Sequence, residues 1–572
     1  MIVETYTSLT GTPSVNGKNG TSNGDGTYTL SYDVASNPCV PLLIQWGATS
    51  QIVKTPLLVN SYTRTSAVMS AVGDCSDCDM VVLNGGTAVA DGTQTVRHLS
   101  VYQGGRFNLP SGKSFTASSL TMRTVGDNVA PAAVIQGTFT CSTLNHDRRI
   151  PADRWYWMAL PYDVTIANIN YADVTANGGD ATYDEDFYLA YYDGVARAAD
   201  KGAKNSYWTY IPDGNASVQS KTLLNAGRGY LVALDDSQSA TGHTYRTLRF
   251  PMTVSNWNSE KNIEKTVVVK GADCAGFPQH IGWNMIGNPF LQNYSAVSVR
   301  DVACGKLTEY YDGEGQWVSP WYTLEEGTET VPYITLYNPG SGYTQTEMIG
   351  QNIAPFSAAF VQLPSSVTGM RFVGTAINPS LAPARRMGLL NEEDETSRFR
   401  IHCFGSTDDQ LTLIVDNNHD ADYEVGADLL KWSNNGKTNI YTRHGNVAQV
   451  FDALSYADAD SIAVGFVQPT AGEMIIGAEA LQKADEVEHV WLIDNAENAW
   501  TDLLTDVYTL TTDAGTFDNR LWIRIVKRYD TPTEIPFGAD VNGDNVFKFI
   551  REGQLFIQRE GKIYDATGSR VR

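Results

Sequence analysis

Trp155-Tyr-Trp-Met-Ala-Leu-Pro-Tyr-Asp-Val164 and Gly282-Trp-Asn-Met-Ile-Gly-Asn-Pro-Phe290 carry the same pattern, a short aromatic and apolar run stopped by proline. Runs this short suit strands, which are complete in about 5–6 residues, whereas a helix needs roughly 10 or more. Further landmarks follow in one order. Tyr191-Tyr-Asp-Gly194 recurs as Tyr310-Tyr-Asp-Gly313, and Trp208 recurs as Trp317. Ala226-Gly-Arg-Gly-Tyr-Leu-Val-Ala-Leu234 recurs as Ala354-Pro-Phe-Ser-Ala-Ala-Phe-Val-Gln-Leu363, and Leu248-Arg-Phe250 as Met370-Arg-Phe372. The offsets wander (283 − 157 = 126, 310 − 191 = 119, 317 − 208 = 109, 372 − 250 = 122), but the order of landmarks does not. Two similar β-modules are therefore expected, at residues 141–265 and 266–377. In each, a tryptophan would fill the interior and Tyr-Tyr-Asp-Gly would open a hairpin.

The same short-strand texture extends in both directions. Gly, Asn, Asp and Pro break the apolar runs, β-branched and aromatic residues dominate them, and the helix candidates are few: residues 295–302 and 478–490. Strand-like runs at 80–83, 98–102, 119–122 and 133–136 recur at roughly twenty-residue steps, as a β-solenoid requires. Residues 1–79 and the module after residue 140 are expected to cap that stack. A proline- and charge-bearing stretch at 378–398 reads as a linker. Beyond it, Leu411-Thr-Leu-Ile-Val415, His489-Val-Trp-Leu-Ile493 and Arg520-Leu-Trp-Ile-Arg-Ile-Val526 predict a β-sandwich over 399–528, followed by a small β tail at 529–572. The expected fold class is all-β: a short β-solenoid, duplicated β-modules, a β-sandwich and a tail.

Composition narrows the partners. With 41 basic and 64 acidic side chains the net charge is −23, so phosphate backbones are repelled and no nucleic-acid partner is expected. No stretch approaches the ~18–20 apolar residues of a membrane helix, so no membrane span is expected. Seven cysteines are too few for a disulfide scaffold, and their odd number leaves at least one thiol free or paired between chains. Asp74-Cys-Ser-Asp-Cys-Asp79 reads as a disulfide or plain thiols at a β-turn, because no second CxxC or nearby His completes a zinc site. The start, Met1-Ile-Val-Glu-Thr-Tyr6, has neither a basic nor an apolar leader region and reads as a processed or truncated form of an exported chain.

Catalytic motifs are missing from the sequence: no HExxH, GxSxG, P-loop or GxGxxG after a strand. The eight histidines have no ligand-spaced partners and read as packing or surface residues. Acidic clusters at 184–186, 416–422 and 540–544 read as solvated turns; the last begins like a calcium loop but has Asn545 and Arg551 where glycine and glutamate are needed. No catalytic residue, metal ligand or cofactor is expected, and the chain is read as non-enzymatic. Recognition is left to aromatic side chains on β-loops, which stack on sugar rings and anchor protein contacts. Trp208, Trp317, Trp321 and Tyr322 are the candidate ligand contacts, with Tyr207, Tyr337 and Tyr343 on similar turn-like sequence.

The tail, with Glu552-Gly553 and Glu560-Gly561 at hairpin turns and Tyr564-Asp-Ala-Thr-Gly568 after them, resembles the C-terminal sorting domains of proteins exported by the type IX secretion system of Bacteroidetes. The matching element is Gly561, Lys562, Tyr564, Gly568 and Val571, although this chain stops sooner after the turn than such domains often do. Gly282–Phe290 and Cys78-Asp-Met-Val-Val-Leu83 likewise resemble segments of large secreted surface proteins of that phylum. The resemblance implies an extracellular or cell-surface location, the type IX outer-membrane machinery as a partner, and adhesion or display toward a protein or glycan ligand. A carbohydrate-binding or polysaccharide-cleaving surface protein is the alternative.

Overall fold

The computed structural model describes residues 2–3, 12–22, 28–30, 41–46, 49–54, 57–59, 66–68, 75–126, 130–172, 181–211, 223–235, 245–254, 257, 264–296, 301–308, 321–323, 333–338, 341–373, 396–528, 546–551, 554–559, 562–565 and 569–571. Their regular structure is nearly all strand. The one α-helix among them is Gly194–Ala199. Of the expected helices, 478–490 is instead strand Gly472–Gln482 running through a single 3-10 turn into strand Val487–Asp494, and 295–302 shows no helix in its described residues. The chain forms two compact units: Met1–Glu392 with Tyr423–Trp432, and Glu393–Asp422 with Ser433–Arg572.

The first unit begins with small antiparallel sheets and then stacks parallel strands in two sheets. One sheet carries Leu57–Val59, Cys75–Val82, Thr93–Tyr102, Ser114–Val125 and Thr138–Ile150; the other carries Ser66–Val68, Thr87–Val89, Arg106–Leu109 and Ala132–Ile135. Successive rungs align Leu57, Met80, Leu99, Leu120 and Leu144 in one register column and Ala67, Ala88, Phe107 and Ala133 in another. The solenoid is therefore present with two strands per rung, and among the described residues its parallel ladder begins at Leu57. The run at 133–136 lies in the second sheet, so the strand that follows 119–122 in the first is Thr138–Ile150. Cys75–Val82 is a strand rather than a turn, and Cys78 within it is buried and disulfide-bonded to a cysteine outside the described side chains. Cys141, Cys274 and Cys304 are free thiols, and they and Cys403 are buried.

A parallel stack must be closed, because its last strand offers unpaired backbone groups. Here Arg246–Met252 pairs antiparallel with Thr138–Ile150, Leu144 facing Met252. Trp257 seals the interior: its ring meets Phe139 edge-on at 4.6 Å, beside Phe115 and Phe107, and its indole N–H donates to the Cys141 carbonyl at 2.9 Å. One continuous core runs from the solenoid into the first module.

The two modules repeat one topology. Tyr156–Ala159, Gly229–Leu234, Phe187–Tyr192 and Trp208–Tyr210 form one four-stranded sheet; Trp283–Gly287, Ala358–Gln362, Tyr333–Asn338 and Gly342–Glu347 form its counterpart in the same order. A two-stranded sheet accompanies each, Val164–Thr165 with Leu223–Leu224 and Tyr294–Ser295 with Asn352–Ile353. Ladder register fixes the correspondence more tightly than sequence landmarks do. Leu231 pairs with Trp157 and Ala190, as Phe360 pairs with Met285 and Thr335. Trp157 thus matches Met285, and Trp283 matches Trp155 two residues earlier. Trp208, paired with Tyr192, matches Tyr343, paired with Tyr337. Tyr310, Tyr311, Gly313 and Trp317 lie outside the described residues. In the first module Tyr191-Tyr-Asp-Gly194 opens the helix rather than a hairpin, because the Asp193 carboxylate accepts the Ala196 N–H at 3.0 Å and caps it.

The modules face each other about a pseudo-twofold axis. Ala159 N–H donates to Phe356 O at 3.0 Å, and Gly287 N–H donates to Gly227 O at 2.8 Å. Ala159 matches Gly287 and Gly227 matches Phe356, so one bond is made twice in opposite directions, as across an isologous dimer interface. Both acceptors turn through positive φ, Gly227 at 71° and Phe356 at 60°. Phe356 pays its conformational strain with burial: its ring sits in the first module's core, stacked on His146 at 3.9 Å. The second module keeps a separate core of its own around Ile286, Ile334, Val361 and Phe372.

In the second unit, ten strands form one sheet in the order Ala499–Asp502, Val487–Asp494, Gly515–Lys527, Ile462–Gln468, Asn439–His444, Val447–Ser455, Asp408–Asp416, Ser397–Phe404, Gly472–Gln482, Tyr508–Thr512. The sheet curls nearly closed like a barrel, where the alternation suggests two facing sheets. Period-two burial is the same in both designs, because either one hides alternate residues. The seam is stitched by Asp494, which sits near one end of the strand order and accepts Tyr508 Oη, from the other end, at 2.9 Å. The tail is a meander of Val546–Arg551, Gln554–Arg559, Lys562–Asp565 and Arg570–Val571.

Candidate functional site

Each four-stranded sheet buries one face in its own core, with Met158, Leu189 and Val232 in the first module and Ile286, Ile334 and Val361 in the second. Their other faces meet around a cleft of about 460 Å³. The first module contributes Trp155, Trp157, Tyr192, Trp208 and Tyr210 over Ala190 and Leu231. The second contributes Tyr337, Tyr343 and Phe360, and Trp432 completes the wall from the segment Tyr423–Trp432.

Phe360 is the floor. It is fully buried and its ring lies 4.7 Å from Tyr192, 5.2 Å from Trp157, 5.8 Å from Trp208 and 4.7 Å from Trp432. A second chain of rings runs from Trp157 to Tyr337 (5.2 Å), Tyr343 (5.2 Å) and Trp432 (5.1 Å). Mostly tilted and edge-on geometries hold these rings against one another, so they are fixed before any ligand arrives. The mouth is at Ser206, which is exposed, and at Tyr210, which is 60% exposed and packs edge-on to Trp155 at 5.6 Å.

The lining carries no Asp, Glu, His, Lys or Arg. Burial pushes the phenols of Tyr192 and Tyr343 up, so both stay protonated at neutral pH. Arg197 stands behind the wall, donating to Tyr192 Oη at 2.9 Å and lying 4.6 Å over the Trp283 ring. An uncharged aromatic cleft can bind by stacking and edge contacts and by hydroxyl and indole hydrogen bonds.

Of the expected contact residues, Trp208 lines the cleft together with Tyr337 and Tyr343, while Tyr207 is buried behind it with its hydroxyl on Asp200. Trp317 lies outside the described residues. Trp321 and Tyr322 are in strand Trp321–Thr323, whose side chains are not among those described. In the tail, Lys562 is exposed and Tyr564 half-buried, Val571 is in the last strand, and Gly561 and Gly568 lie outside the described residues. Trp155, Trp157, Tyr192, Tyr210 and Trp432 were not singled out by sequence. Trp157 had a usable signal, since it alternates with core residues Tyr156 and Met158 and so faces away from them. Trp432 had none.

The histidines sort into packing and pairing. His146 is fully buried, and desolvation together with Arg148 holds it well below its ordinary pKa. His419, His444 and His489 each meet one aspartate, Asp416, Asp452 and Asp502, at 2.8–2.9 Å. The acidic cluster at 416–422 is drawn into such local bonds, and Asp186 of the 184–186 cluster accepts the Thr182 N–H at 2.7 Å. The cluster at 540–544 lies outside the described residues. Comparison of the chain with protein-family models, curated proteins and solved structures finds no match to any of them.

Proposed function

We propose that this is a non-enzymatic secreted or cell-surface protein that serves adhesion or display, and that its ligand is held in the aromatic cleft between the repeats. The observation that carries the reading is the lining itself: nine Trp, Tyr and Phe rings prearranged around an open mouth, with no carboxylate or imidazole to act as general acid or base. At about 460 Å³ the cleft falls within the roughly 300–1,000 Å³ of ligand sites. Export through a type IX outer-membrane machinery is part of the proposal and rests on the resemblance of the tail. Carbohydrate binding remains the alternative occupant class, supported by the same rings, because the C–H faces of a sugar stack on indole and phenol.

Retention of the intact chain on glycan-coated and protein-coated surfaces tests the cleft. Binding should fall about tenfold in Trp208→Ala, as for an aromatic anchor. Retention that ignores this substitution removes the cleft from the account, and turnover of a bound glycan overturns the non-enzymatic assignment. For export, residues 529–572 fused to a periplasmic reporter should carry it to the surface of a type IX-competent host; a reporter that stays inside refutes that part.

A further inference from the structure

The two modules place equivalent residues around the cleft, yet a peptide segment covers the second, while among the described residues no such segment covers the first. Ladder register matches Trp155 with Trp283, Trp208 with Tyr343, Tyr210 with Gln345 and Leu231 with Phe360. On the second module, the Trp432 indole rests on Trp283 (5.4 Å, stacked), Tyr343 (5.1 Å) and Phe360 (4.7 Å). Gln345 holds the backbone that delivers it: its carboxamide donates to Leu430 O at 2.7 Å and accepts the Trp432 N–H at 2.7 Å. The segment is extended at Leu429–Leu430 and is pinned upstream by Tyr333 Oη on Ala427 O at 2.9 Å. On the first module, the matching Trp155, Trp208, Tyr210 and Leu231 line the cleft.

We infer that the first module's cleft is a docking site for an extended segment of a partner protein that inserts a tryptophan, as Trp432 covers the second module. The inference rests on the reading of the cleft as the binding site and names its occupant. Three features favour a peptide over a sugar. The matching surface in this same chain takes a peptide-borne indole. The strand Trp208–Tyr210 ends its sheet beside the cleft, and edge strands accept extended chains. Tryptophan is the side chain most often found as a buried anchor at protein contacts. Tyr210 offers one hydroxyl where Gln345 offers a two-way carboxamide, so the first module grips the backbone less firmly and suits a reversible partner.

The probe is a synthetic peptide with the sequence of residues 423–432, titrated into the full chain by calorimetry. Saturable one-to-one binding is expected, weakened about tenfold or more when the peptide's tryptophan is alanine. Tyr210→Arg, at an exposed position that cannot unsettle the core, should weaken it comparably, while Gln345→Ala on the other module should leave it. Loss with Gln345→Ala but not with Tyr210→Arg would place the peptide on the second module and overturn the inference. No saturable peptide binding, with glycan binding that Trp208→Ala abolishes, overturns the peptide occupant and keeps the cleft. Neither ligand binding overturns both.

Discussion

His146 is a polar side chain spent on packing. It lies between Phe356 and Phe250, its Nδ1 is 3.2 Å from Met122 O, and its Nε2 finds no hydrogen-bond partner among the described residues. Because burial holds its folded pKa low, folding is favoured while the ring is neutral and opposed once the unfolded chain takes up a proton. Stability from this site is therefore complete above the ordinary imidazole value and declines as pH falls through it. His146→Phe should keep the stacking, leave no orphaned nitrogen, and raise the thermal midpoint more at pH 5 than at pH 8. A midpoint that drops equally at both would show that the Met122 bond matters more than the desolvation. The sequence gives His146 no special mark; only the register that carries it between two phenylalanines does.

At the level of elements, the axis between the modules is tight enough to count methyl groups. A Cβ on Gly287 would stand 1.9 Å from the Ala159 Cβ. Gly287→Ala should therefore cost roughly 1–3 kcal/mol as overpacking, and adding Ala159→Gly should return most of it, since the pair then again holds one methyl. Chemical denaturation of the two variants reads this directly, and a double mutant no better than the single one refutes the shared axis. The end of the solenoid makes a second test: Trp257→Ala removes the ring that covers Phe139, at about 3–5 kcal/mol. Much of this level was legible beforehand. The twenty-residue period located the stack, and the paired runs around Ala226–Leu234 and Ala354–Leu363 pointed to the duplication, but Trp208 matches Tyr343 and not Trp317, and Tyr192 matches Tyr337 and not Tyr311. The matching of Trp155 with Trp283 was missed because a slip of two residues preserves the facing of every side chain; the ladder settles it, and Pro161 and Pro289 stand at the same offset of 128.

For the molecule as a whole, acid should weaken the second unit through its buried carboxylates. Burial by itself would raise Asp494, but Arg520, at 2.7 Å, with Tyr508 and the Ala496 N–H, holds it below its usual value. Asp416 and Asp502 are held low in the same way against burial, by Asn418 N–H and His419 and by His489 and Leu504 N–H. A carboxylate with a depressed folded pKa contributes in full above its unfolded value near ~4, and that contribution is lost as pH falls further. The denaturant midpoint of the second unit should drop between pH 6 and pH 3, and Asp494→Asn should flatten the drop while costing stability at neutral pH. Alternation predicted these strands without saying how the sheet closes, since the closing bond joins Asp494 to Tyr508 across the ends of the strand order and no local pattern encodes it.

The doubled bond at the module axis also bears on what each half is free to become. In a dimer of identical chains a residue on the axis meets its own copy, so glycine would face glycine or alanine would face alanine. Here Ala159 faces Gly287, a large-and-small pair that identical partners cannot form. Carrying both halves on one chain lifts the demand for self-complementarity, and the halves can specialise: one has its aromatic face closed by the molecule's own Trp432, while the other keeps its face for the outside.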